Sequence, residues 1–85
     1  MTKEKVKEFM KKKKVIYAVE SDGVYCIDFS RKDRIYKFMV DDSFNSLMLC
    51  EFEKDRPNES YDMWLLRNLY ENEVEAQNEY ERIWS

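Results

Sequence analysis

Apolar positions along the chain recur first with a helical period and then with a period of two. Val6, Phe9 and Met10 stand at i, i+3 and i+4, and Thr2 precedes them as an N-cap, so a helix is expected over residues 2–12. Lys11, Lys12, Lys13 and Lys14 follow, and cations suit the negative end of a helix dipole. From Val15 the pattern alternates, which predicts strands over 15–20 and 24–29. Ser21-Asp22-Gly23 between them reads as a hairpin turn, because glycine reaches positive φ without a steric penalty. Ser30-Arg31-Lys32-Asp33-Arg34 is a polar loop, and further strands are expected over 35–40 and 47–53, separated by a turn at Asp41-Asp42-Ser43. Short connections favour an antiparallel meander.

Beyond Pro57, residues 59–84 read as one long helix, capped by Asn58 or Ser60. Tyr61, Trp64, Leu65, Leu66, Leu69 and Tyr70 form its first apolar stripe; Val74, Ala76, Tyr80, Ile83 and Trp84 form a sparser second one among Glu71, Glu73, Glu75, Glu79 and Glu81. The expected fold class is α+β: a short N-terminal helix, a four-stranded antiparallel meander and a long C-terminal helix packed on the sheet, all in one domain over residues 1–85. Alternation assigns Val15, Tyr17, Val19, Tyr25, Ile27, Phe29, Tyr36, Phe38, Val40, Met48, Cys50 and Phe52 to the core face. A helix of about 39 Å on strands of about 17–20 Å must overhang, bend or cross diagonally. An overhang leaves its end open to a partner, whereas a diagonal path pins Ile83 and Trp84 on the sheet rim.

Composition narrows the chemistry. The 85 residues include five Phe, six Tyr, two Trp and five Met, enough large side chains for one thin core, and the single Gly and single Pro leave few loose loops. With no His there is no Ser-His or Cys-His pair and no His-ligated metal, and one glycine makes neither a P-loop nor a dinucleotide fingerprint. Cys26 and Cys50 lack C-x-x-C spacing and are read as free thiols serving as small core hydrophobes. Asp28 and Glu51 fall on one expected sheet face, but their pattern is that of a solvated surface. Asp41-Asp42-Ser43-Phe44-Asn45 lacks the spacing and the glycine of an EF-hand loop. No enzyme activity and no cofactor are expected. No apolar run serves as a signal peptide or reaches the ~20 residues of a membrane span, so the expectation is a cytoplasmic protein that does not engage membranes.

Charge supplies the functional expectations. Residues 1–37 carry eleven Lys/Arg against six Asp/Glu, a net of +5; residues 38–85 carry four against twelve, a net of −8. The acidic second half of the last helix is read as a partner-binding surface, with Glu71, Glu75 and Glu79 supplying charge and Tyr80, Ile83 and Trp84 as anchors. Spaced carboxylates on a rigid helix present charge as DNA does and suit a basic groove on another protein, such as a nucleic-acid-binding one. Some small inhibitors encoded by phages and mobile elements work in this way, and the Lys, Glu, Asn, Tyr and Ile bias fits a low-GC bacterial or phage source. The same helix end is a candidate homodimer contact. The alternative is a nucleic-acid accessory domain using Lys11, Lys12, Lys13 and Lys14 with Arg31, Lys32 and Arg34, although nucleic-acid binders are usually net positive and this chain is net −3. The order helix, strands, helix loosely resembles that of a double-stranded-RNA-binding domain, but the last helix opens Asn58, Glu59, Ser60, Tyr61, Asp62 where that module carries lysines, a departure at the residues that would touch phosphate.

Overall fold

A computed structural model describes residues 1–84. The chain is α+β; the described residues form two helices and six strands arranged as two three-stranded sheets. It gathers into two compact units, Met1–Ser30 with Arg67–Ser85, and Arg31–Leu66.

In unit 1, helix α1 (Lys3–Lys11) begins at Thr2, whose side chain accepts from the Lys5 amide at 3.2 Å. It buries Val6 and half-buries Phe9 and Met10, the stripe its spacing predicts. Strands β1 (Val15–Glu20) and β2 (Gly23–Asp28) pair antiparallel with Glu20 opposite Gly23, so Ser21 and Asp22 form a two-residue turn. Gly23 leaves that turn at φ +142°, a conformation open to glycine. β6 (Leu69–Tyr70) pairs with the other edge of β1, and helix α2 (Glu73–Trp84) packs against β1, β2 and β6.

Unit 2 contains β3 (Arg34–Asp41), β4 (Ser46–Glu53) and β5 (Ser60–Leu65), with β4 in the centre. A short 3₁₀ turn over Leu66–Asn68 then leads to β6.

Three expectations are corrected. The four strands do not form one meander: β1–β2 and β3–β4 are hairpins of different sheets, completed by β6 and β5 respectively. Residues 59–84 are not one helix. Ser60–Leu65 is a strand paired antiparallel along one edge of β4, with Trp64 opposite Leu49 and Met63 opposite Cys50, and helix starts only at Glu73. The apolar run Trp64-Leu65-Leu66 fits either period, and pairing with a central strand decides it. With 12 residues α2 is about 18 Å long, so the overhang argument lapses.

The core face is also redrawn. The two-residue turn places even positions of β1 beside odd positions of β2, so Ile16 lies opposite Ile27 and Ala18 opposite Tyr25. Ile16, Ala18 and Ile27 are fully buried, whereas Val15 and Tyr17 are half-exposed. In unit 2 the same parity rule sets Tyr36 opposite Glu51 and Phe38 opposite Leu49, separating them from Met48, Cys50 and Phe52.

Candidate functional site

The residues of the acidic segment sit at and after the β6–α2 junction. Asn72 caps α2: its Oδ1 accepts from the Glu75 amide at 2.8 Å, and its Nδ2 donates to Glu75 Oε2 at 3.3 Å. The first of these bonds is that of a capping box, while in the second the Glu75 carboxylate meets the Asn72 side-chain amide instead of its backbone N–H. Glu71 precedes the helix and pairs with Lys5 of α1 at 3.5 Å. Glu71 is the chief cause holding the Lys5 ammonium above its ordinary pKa. Glu79 accepts from Arg82, one turn on, and that hydrogen bond holds its carboxyl below the usual range. Each of the three carboxylates expected to face a partner therefore has a contact inside unit 1.

The three expected anchors differ. Ala76 is fully buried and Tyr80 half-buried, and Ile83 continues their i, i+4, i+7 stripe. Ile83 nevertheless remains 49% exposed and Trp84 53% exposed, beside Glu81 and Arg82 on the surface. Val74 is exposed at the opposite end of the helix. The end of α2 thus carries two large apolar side chains that the described residues leave half open.

The basic candidates fall in both units. Lys11, Lys12, Lys13 and Lys14 are exposed at the end of α1, where a Schellman motif closes the helix. The Lys13 amide donates to Met10 O at 3.1 Å and the Lys14 amide to Phe9 O at 3.0 Å. Lys13 occupies the left-handed position of that motif at φ 55°, where glycine is the usual residue. Lys12 pairs with Glu8 at 3.2 Å, and the Lys14 ammonium lies 5.8 Å from the Phe9 ring centre. In unit 2, Arg31 grips the Asp33 carboxylate through two hydrogen bonds of 3.0 and 2.8 Å, while Lys32 is exposed. Arg34 is not on a loop tip as expected: it opens β3, its side chain is only 10% exposed, and its guanidinium lies 4.3 Å from the centre of the Tyr61 ring.

Beside Arg34 lies a cluster that sequence reasoning missed. Glu51, in the middle of β4, is buried; Tyr36 donates to its Oε1 at 2.8 Å, and Arg34 Nε stands 3.7 Å from its Oε2. Those last two atoms are buried without a hydrogen-bond partner. A Coulombic pair without a hydrogen bond holds the carboxylate less firmly than a bidentate one does. Asp62 faces Glu51 from β5, and burial, reinforced by that neighbouring charge, raises its carboxyl above the usual range. The register fixes this grouping: Asp41 pairs with Ser46 across the hairpin loop, which brings Tyr36 opposite Glu51. The length of that loop was the available signal.

The cysteines divide. Cys50 is buried, as a small core hydrophobe should be, but Cys26 is exposed. Partial desolvation pushes both thiols above their ordinary pKa, with Asp28 and Glu73 adding to the effect at Cys26. Among the described residues no helix is long and apolar enough to cross a membrane. Comparison of the chain with protein-family models, with curated proteins and with solved structures finds no match.

Proposed function

We propose that this is a non-catalytic protein-binding domain that uses the C-terminal end of α2, acting as an inhibitor of a host protein in the manner of small phage and mobile-element proteins. The observation that carries the reading is the half-exposure of Ile83 and Trp84 at the end of an otherwise anchored helix. Trp is a favoured anchor in protein interfaces because it contributes a large apolar area with few rotatable bonds. Since Glu71, Glu75 and Glu79 already contact Lys5, Asn72 and Arg82, the apolar pair supplies the grip and the acidic surround selects a basic-rimmed groove.

The test is affinity capture with Trp84→Glu and Ile83→Glu beside the parent chain, after circular dichroism shows all three equally folded. The reading expects a partner captured by the parent and lost from both variants; equal capture by all three overturns it. Removal of residues 75–85 is not an informative control, because it deletes the buried Ala76 and the helix that covers β1, β2 and β6.

A second reading, a nucleic-acid accessory role, has one observation in its favour. Lys13 takes a left-handed position that glycine fills at lower cost, and a residue that breaks a local rule is a candidate for selection by function. Lys13→Gly should stabilise the chain by about 0.5 kcal/mol. If the lysines hold phosphate, the same change should weaken binding to a duplex and flatten its salt dependence. Unchanged duplex binding removes this reading.

A further inference from the structure

We propose that the protein pairs with a second copy of itself through the outer edge of its second sheet, β3 against β3, antiparallel and centred on Met39. The strand order β3-β4-β5 places β3 at an edge. Natural edge strands are guarded against such pairing by proline, bulges, shortness or several charges. β3 is eight residues long, contains neither Pro nor Gly, and pairs with β4 over its whole length without a register shift; of its three charged residues, Arg34 is turned to Tyr61 and Glu51, which leaves one cation, Lys37, and one anion, Asp41, on the rest of the strand. The one irregularity in this sheet lies on the other side, between β4 and β5 at Glu51/Phe52. The second half of β3 also exposes apolar side chains, Met39 at 48% and Val40 at 61%.

Symmetry and charge then select the register. A two-fold axis normal to the sheet sets residues of like parity opposite one another. Centred on Met39, it places Met39 against Met39 of the second copy, Phe38 against Val40 of the second copy, and Lys37 against Asp41 of the second copy. The last contact occurs twice, and opposite charges directly across a ladder stabilise it. Centring on Lys37 instead sets two ammonium groups face to face, and centring on Phe38 leaves Lys37 facing a methionine. Lys37 is exposed, and Asp41 meets its own turn through Oδ1, which accepts from the amides of Ser43 and Phe44 at 2.8 and 3.3 Å. These two bonds fix the carboxylate at the end of the strand, where the copy's Lys37 arrives. The product is a continuous six-stranded sheet. It is a surface distinct from Ile83 and Trp84, so it stands or falls separately from the proposed function.

Sedimentation of the full chain over about 1 µM to 1 mM should show a reversible monomer–dimer equilibrium. Because Met39 meets its own counterpart, Met39→Lys and Met39→Glu should each weaken the dimer at least about tenfold, while an equimolar mixture of the two variants should restore it as a heterodimer. Loss of folding predicts no such rescue. A chain that is monomeric throughout, a dimer indifferent to both Met39 substitutions, a dimer split instead by Trp84→Glu, or a mixture that does not associate overturns the proposal.

Discussion

The two units solve the same problem differently. Both contain a three-stranded antiparallel sheet, but unit 1 packs α1 and α2 against its strands, whereas the sheet of unit 2 has no α-helix within its own unit. Unit 1 has an aliphatic core of fully buried Val6, Ile16, Ala18, Ile27 and Ala76, with its polar groups paired at the surface. Unit 2 leaves Met39, Val40, Phe44, Tyr61 and Met63 exposed and at the same time buries a carboxylate, Glu51. A helix-covered sheet can hide its apolar face cheaply. Unit 2 also buries Leu49, Cys50, Phe52 and Trp64 along β4 and β5, so in it a buried carboxylate sits among buried apolar side chains while other apolar side chains remain exposed. The half-exposed apolar side chains that the two proposals use lie at the end of one helix in unit 1 and on an edge strand in unit 2.

Three substitutions can break or sharpen this contrast. The largest effect is expected from Ile16→Ala, which empties the centre of the aliphatic core and should cost about 2–5 kcal/mol in denaturant unfolding. Tyr36→Phe should cost less, about 1.5–3 kcal/mol, because it removes the donor to Glu51 Oε1 and leaves a buried carboxylate short of a partner. If Tyr36→Phe proves as costly as Ile16→Ala, the polar cluster is as important to stability as the core and the contrast is lost.

The smallest effect is at Asp62. Its carboxyl pKa is raised by burial in the folded chain, so the folded state holds its proton to higher pH than the unfolded state does. Stability from this group is therefore greatest in acid and falls as pH rises from about 4 through the raised value. Asp62→Asn removes that loss. The variant should melt higher than the parent at pH 7, with the gap closing toward pH 3. A gap that is constant with pH would mean the carboxylate carries no such penalty.

Local signals carried the first half of the sequence reading. Thr2 and the Val6, Phe9, Met10 stripe define α1, and Asp22-Gly23 marks the first hairpin, because caps and tight turns are set by residues a few positions apart. Sheet faces were legible only to within parity, since one residue of loop length exchanges the two faces. For that reason alternation alone places Ile16 and Ala18 on the face opposite the core and does not pair Tyr36 with Glu51. The run from Tyr61 to Leu66 was ambiguous in period, and only its long-range pairing with β4 makes part of it a strand. For α2 the true start was marked by Asn72 and Glu75, a cap that the longer apolar pattern obscured. Of the candidate site, Ile83 and Trp84 are half exposed and Tyr80 is half-buried, while the contacts of Glu71 with Lys5 and of Arg34 with Tyr61 join distant segments and leave no mark in the sequence.

The measurement that bears most directly on the proposed function is photo-crosslinking in the cell that makes the protein, with a benzophenone amino acid placed at position 84 or at position 12. The account predicts a discrete protein adduct from position 84 and none from position 12. Adducts to nucleic acid from position 12, with position 84 unreactive, would contradict it.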